Sequence, residues 1–126
     1  MVSQDQTFGK YLEKFPEKIR KIALSLRVMI LKIIPNAQEK VHIGMKWITY
    51  GIPRSIIAIK PEYDHIKLFF FEGTRLMDPS NLLKGSGTRL RFVPISTLAN
   101  MKEDLNLLIE QVSDVQKKRT FRKRKI

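Results

Sequence analysis

Between residues 41 and 93, glycine and proline cut the chain into short strand-like runs, VHIGMKWITY, RSIIAIK, HIKLFFF and RLRFV, and this punctuation constrains the fold more than any other feature. Only Gly51-Ile52-Pro53 separates the first two runs, and Lys60-Pro61-Glu62-Tyr63-Asp64 separates the next two. A parallel crossover needs a dozen or more residues, so neighbouring strands must run antiparallel. Gly85-Ser86-Gly87 marks a turn before RLRFV, and a helical turn is expected over residues 79–83.

Helices frame these runs. Ile19, Ile22, Ala23, Leu26, Met29, Ile30 and Ile33 recur at the spacing of one helical face. Pro16 suits the first turn of that helix and Pro35 cannot continue it. A shorter helix is expected over residues 5–15, carrying Phe8, Tyr11, Leu12 and Phe15. Leu98, Met101, Leu105, Leu108, Ile109 and Val112 predict a last helix over residues 95–116, capped by Ser96 or Thr97. The order predicts an α+β fold: a mostly antiparallel sheet with N-terminal and C-terminal helices packed on one face.

At 126 residues and 43% hydrophobic, the chain is long enough for one core and too apolar to be disordered. It has no cysteine, which excludes disulfides, thiolate metal sites and a cysteine nucleophile. No apolar run resembles a signal peptide or approaches the ~20 residues of a membrane span, so a cytoplasmic protein is expected. The net charge of +12 is uneven: residues 117–126 hold seven of 24 basic residues and no acidic one, leaving 17 basic against 12 acidic residues, net +5, over residues 1–116. The chain therefore divides into one domain, 1–116, and a basic tail, 117–126, expected to fray from the helix end. In that tail Lys117, Lys118, Arg119, Arg122, Lys123, Arg124 and Lys125 are candidate non-specific phosphate contacts, or a solubilising segment.

Strand alternation puts Ile66, Leu68 and Phe70 on one face and His65, Lys67, Phe69 and Phe71 on the other. Applied to RLRFV, it sends Leu90 and Phe92 inward and Arg89 and Arg91 outward. Applied to VHIGMKWITY as one strand, it groups Val41, Ile43, Met45 and Trp47 and leaves His42, Lys46 and Tyr50 opposite. Lys46, Tyr50, Lys67, Phe69, Arg89 and Arg91, with Arg75 in the following loop, thus form a candidate site for an anionic partner, either nucleic acid or another phosphorylated ligand. Cations neutralise phosphates and exposed rings stack on bases. The same residues also suit the ordinary solvated face of a one-sided sheet.

Glu62, Asp64 and His65 form the best metal-like group, with Glu39 and His42 as a second possible contributor, but their spacing matches no closed motif and residues 61–65 suit a solvated hairpin turn better. Gly85-Ser-Gly-Thr-Arg lacks the GxxxxGK[ST] pattern and precedes a strand-like run, which fits a hairpin connection better than a nucleotide cradle. No HExxH, GxSxG or paired nucleophile and base stands in the chain, so a non-enzymatic binding domain leads and a small enzyme with an unrecognised pocket remains an alternative.

The order of motifs from Tyr11 to Val112 resembles the YdhG-like family of small domains, some described as frataxin-like. The resemblance rests on Ile34-Pro-Asn-Ala, Glu39-Lys-Val, Gly44, Tyr50-Gly51, Lys60-Pro-Glu-Tyr-Asp-His65, Phe70-Phe-Glu-Gly73 and Ser96-x-Leu98. Its most specific block, Gly73 to Arg91, follows GxxLxDPxxLLxGxGxxxR. Where members often carry Trp-Gly-x-Pro, Ile43, Gly44, Met45 and Lys46 stand here, with Trp47 one place beyond. The resemblance implies a curved antiparallel sheet with flanking helices and, as an alternative function, intracellular iron handling through Glu39, Glu62, Asp64 or His65. Iron is the only cofactor implied. The net charge of the body opposes collecting several hard cations on its surface.

Overall fold

The computed structural model describes residues 4–52 and 54–125, with side chains described for residues 7–52 and 54–117. Helices α1 (Gln4–Leu12) and α2 (Glu17–Ile33) precede strands β1 (Gln38–His42), β2 (Trp47–Gly51), β3 (Ser55–Pro61) and β4 (Ile66–Phe70). A short 3-10 turn at Gly73–Arg75 begins a long loop to β5 (Arg91–Ile95), and α3 (Lys102–Lys125) closes the chain. The five strands form one antiparallel meander in the order β1-β2-β3-β4-β5. This is the expected α+β architecture.

The core forms where the helical stripes meet one face of the sheet. Ile19, Ile22, Ala23, Leu26 and Ile30 of α2 are buried together with Ile48, Ile57, Ile59, Ile66, Leu68, Phe70, Val93 and Ile95. Helix α1 packs against β1, while α2 packs on β3, β4 and α3. Pro16 occupies the N-cap of α2 at φ −58°, and the Ile34 N–H still bonds Ile30 O at 2.8 Å before Pro35 ends the helix.

Helix α3 begins and ends later than its apolar spacing predicts. Strand β5 carries through Ile95, whose burial opposite Ile66 holds residues 91–95 extended. The chain then turns with Met101 N–H bonding Leu98 O, so neither Ser96 nor Thr97 caps the helix. At the other end the helix continues to Lys125, through residues expected to form a tail; Lys and Arg are good helix formers.

The helical turn expected over residues 79–83 is instead a reverse turn. The Asn81 N–H bonds Asp78 O at 3.0 Å, and the Asp78 carboxylate accepts from the N–H groups of Leu82 and Leu83, each at 2.9 Å. An Asp side chain that satisfies two backbone donors offers the chain an alternative to a helical turn. The turn is tied to α3 by two bonds between Gln111 and the Met77 backbone and by Ser80 donating to Asp104.

Candidate functional site

The strand register overturns two of the expected face assignments. VHIGMKWITY is a hairpin and not one strand: residues 43–46 make the turn, with the Lys46 N–H bonding Ile43 O at 3.2 Å and Lys46 at φ +59°. The turn sets His42 opposite Trp47, so an even and an odd position share a face and the parity of β2 is reversed. Trp47 therefore lies on the face away from the helices, and Tyr50 is fully buried beneath them. Lys46 is an exposed turn residue.

In β5, Phe92 stands opposite Phe69, and Arg91 opposite Phe70. Val93 and Ile95, with 1% and 0% exposure, are its core positions, because the strand runs across Pro94. Lys67 and Arg91 thus lie on opposite faces of the sheet, and the basic face expected from Lys46, Lys67, Arg89 and Arg91 does not form. Arg91 Nη1 instead donates to the carbonyls of Leu90 at 2.8 Å and Gly87 at 2.5 Å, bracing the loop. A Cβ at Gly73 would collide with Arg91 Cβ, so glycine lets the loop close against that side chain. Arg89 is exposed in the same loop, its carbonyl accepting from the Thr74 N–H, and Arg75 lies 3.7 Å from Glu72.

Tyr50 belongs to a buried polar network. Its hydroxyl donates to Glu39 Oε2 at 2.6 Å, and Arg27 of α2 holds the same carboxylate through Nε at 2.6 Å and Nη2 at 3.1 Å. The Arg27 guanidinium also covers the Phe8 ring of α1 at 4.8 Å. Burial, together with the hydrogen bond to the Glu39 carboxylate, pushes the Tyr50 phenol far above its ordinary value. The network joins both N-terminal helices to the first hairpin.

The face without helices presents a different set of side chains. Read across the strands in register, one row is Lys40, Thr49, Ala58, Phe69 and Phe92. Lys84 exchanges two backbone bonds with Phe92, at 2.7 and 3.0 Å, and so extends this row beyond β5 on the same face. The adjacent row contains His42, Trp47, Lys60, Lys67 and Pro94. Over the low floor of Ala58 and Thr49, Trp47 meets Phe69 and Phe71 at centroid distances of 5.5 and 5.4 Å, and Phe69 meets Phe92 at 5.3 Å. All four rings are partly exposed. Lys67 Nζ rests 5.3 Å above the Phe92 ring, Lys60 Nζ donates to Met45 O at 3.1 Å, and His42 Nε2 bonds the Thr49 hydroxyl at 2.9 Å. No described strand residue on this face is acidic.

Of the expected site residues, only Lys67 and Phe69 share this face; Trp47, Phe71, Phe92, Lys60 and Lys40 complete it. Gly44 in the middle of VHIGMKWITY is the signal for the hairpin, and Ile95 beyond Pro94 is the signal for the parity of β5. The tail side chains Lys118, Arg119, Arg122, Lys123, Arg124 and Lys125 lie outside the described ones; Lys117 is exposed.

The metal-like residues are dispersed. Glu39 is level with Tyr50 and Ile57, whereas Glu62 follows Pro61 at the far end of β3. Asp64 accepts from His65 Nδ1 at 2.6 Å, which lowers the Asp64 carboxyl below its ordinary value. Among the described residues no group of three or more His, Asp or Glu side chains is arranged to hold a metal ion, and no helix is long and apolar enough to cross a membrane. Comparison of the chain with protein-family models, curated proteins and solved structures gave no match.

Proposed function

We propose that the protein is a binding domain for single-stranded nucleic acid, using the helix-free face of its sheet. The observation that carries this reading is the cluster of partly exposed rings, Trp47, Phe69, Phe71 and Phe92, set among Lys40, Lys60, Lys67 and Lys84 with no acidic side chain among the described strand residues of the face. Bases stack on aromatic side chains without regard to sequence, and lysines neutralise the backbone between them. A duplex keeps its bases stacked inside and offers this face only phosphates, so single strands are the better fit. Lys60 and Lys67 rest on a carbonyl and on a ring, so an incoming phosphate displaces no ion pair among the described residues.

Fluorescence anisotropy of labelled single-stranded and duplex oligonucleotides at two salt concentrations tests the reading. The full chain is compared with a chain ending at Gln116 and with Phe69→Ala. Binding that favours single strands, survives truncation and weakens in Phe69→Ala supports the sheet face. Binding that vanishes on truncation assigns it to the basic end of α3.

A further inference from the structure

On the nucleic-acid reading above, we infer that the bound strand crosses the sheet at right angles to its β-strands, with Lys60 and Lys67 each taking one of two consecutive phosphates while Phe69 and Phe92 take bases.

Lys60 and Lys67 are directly opposed on β3 and β4. Such a pair brings Cβ atoms to roughly 4.5–5.5 Å, and like charges placed so are destabilising unless something negative lies over them. No carboxylate does so among the described residues. The two ammonium groups turn apart across the strands: Lys60 reaches the β1–β2 turn at Met45, while Lys67 reaches β5 at Phe92. Their charges are therefore spread along the direction that crosses the strands.

The rings follow the same direction. Phe69 and Phe92 are opposed on β4 and β5 in the adjacent row, and Lys84 ends that row beyond them. A base stacked on Phe92 takes the place of the Lys67 ammonium over that ring and frees the lysine for the neighbouring phosphate. Rings on neighbouring strands of one sheet accommodate on the order of two or three bases. A nucleic-acid strand lying parallel to the β-strands would instead pass Lys60 and Lys67 at one level and present both with a single phosphate.

The salt dependence of binding to a short oligothymidylate separates these paths, measured for the full chain, Lys60→Gln, Lys67→Gln and the double variant. Crossing the strands, each single change lowers the slope of log K against log salt by ~0.7 and the double change by ~1.4, with additive losses in log K. A double variant no worse than either single one, or singles that leave the slope unchanged, overturns this path while the nucleic-acid reading stands. Failure of the full chain to bind oligothymidylate overturns the reading and the path together. Thermal midpoints of the variants that do not fall below that of the wild type show that folding does not account for the losses.

Discussion

Phe69 and Phe92 face each other across β4 and β5 with ring centroids 5.3 Å apart, and both rings are partly open on the side of the sheet that carries no helix. Their helix-side neighbours Leu68 and Val93 close the core, with 0% and 1% exposure. The same two strands thus supply a sealed apolar layer and an open aromatic one. If the open rings serve as stacking platforms, Phe69→Ala and Phe92→Ala each weaken single-strand binding by about 1–3 kcal/mol. Anisotropy titration checks this, and wild-type affinity in both variants contradicts it.

The Arg27–Glu39–Tyr50 network predicts a large stability effect remote from the open face. The Glu39 side chain is 1% exposed and that of Arg27 is 14% exposed. Removing one partner of such a pair leaves a buried charge uncompensated, so Glu39→Ala is expected to cost roughly 3–5 kcal/mol. The shift in urea midpoint measures it, and a loss below about 1 kcal/mol contradicts the account. Tyr50→Phe keeps the ion pair and is milder, in the range of about 1.5–3 kcal/mol for a hydrogen bond to a charged group.

Tyr50 also predicts a loss of stability at alkaline pH. Its folded phenol is held above the ordinary value of 10.0, mainly by burial and then by Glu39. Above about pH 10 the unfolded chain releases this proton and the folded chain retains it, so stability present below that pH falls as pH rises. Urea midpoints measured from pH 8 to pH 11 should decline at the upper end of this range, and Tyr50→Phe should flatten most of the decline. Tyr11, raised by burial and by Glu62, retains a smaller slope.

Asp78 holds the long loop through two backbone N–H groups, those of Leu82 and Leu83. Asp78→Ala leaves both donors without that partner and is expected to cost about 1–3 kcal/mol. Hydrogen exchange should quicken at Leu82 and Leu83 while the amides of β2 and β3 keep their protection. Uniform loss of protection throughout the sheet contradicts a local role for this carboxylate.

The fold was largely legible because its signals are local. Pro16 and Pro35 bracket α2, the stripe through Ile19, Ile22, Leu26 and Ile30 identifies its buried face, and the short turns after β2 and β3 compel antiparallel pairing. Face assignment was less legible, because it depends on parity and one turn placed differently reverses every side chain in a strand. Treating Val41–Tyr50 as one strand puts Tyr50 outside and Trp47 inside, and the turn around Gly44 exchanges them. Ending the last strand at Val93 sends Phe92 inward; extending it through Pro94 to Ile95 brings Phe92 out and turns Arg91 to the other side. Pro94 is tolerable there because β5 pairs beyond β4 only through the isolated bridge at Lys84. The role of Asp78 as a backbone clasp lay within the Asp78-Pro79 and Leu82-Leu83 motif, but only the turn geometry gives it a physical reason.

Trp47 is the single tryptophan of the chain and stands on the proposed binding face, in contact with Phe69 and Phe71. Its intrinsic fluorescence during titration with a single-stranded oligonucleotide, for the full chain and for the chain ending at Gln116, is the most direct test of the sheet-face reading. Saturable quenching in both, coincident with the rise in oligonucleotide anisotropy, is the predicted result. Anisotropy that rises while the Trp47 emission stays unchanged would contradict it, placing the bound strand elsewhere on the molecule.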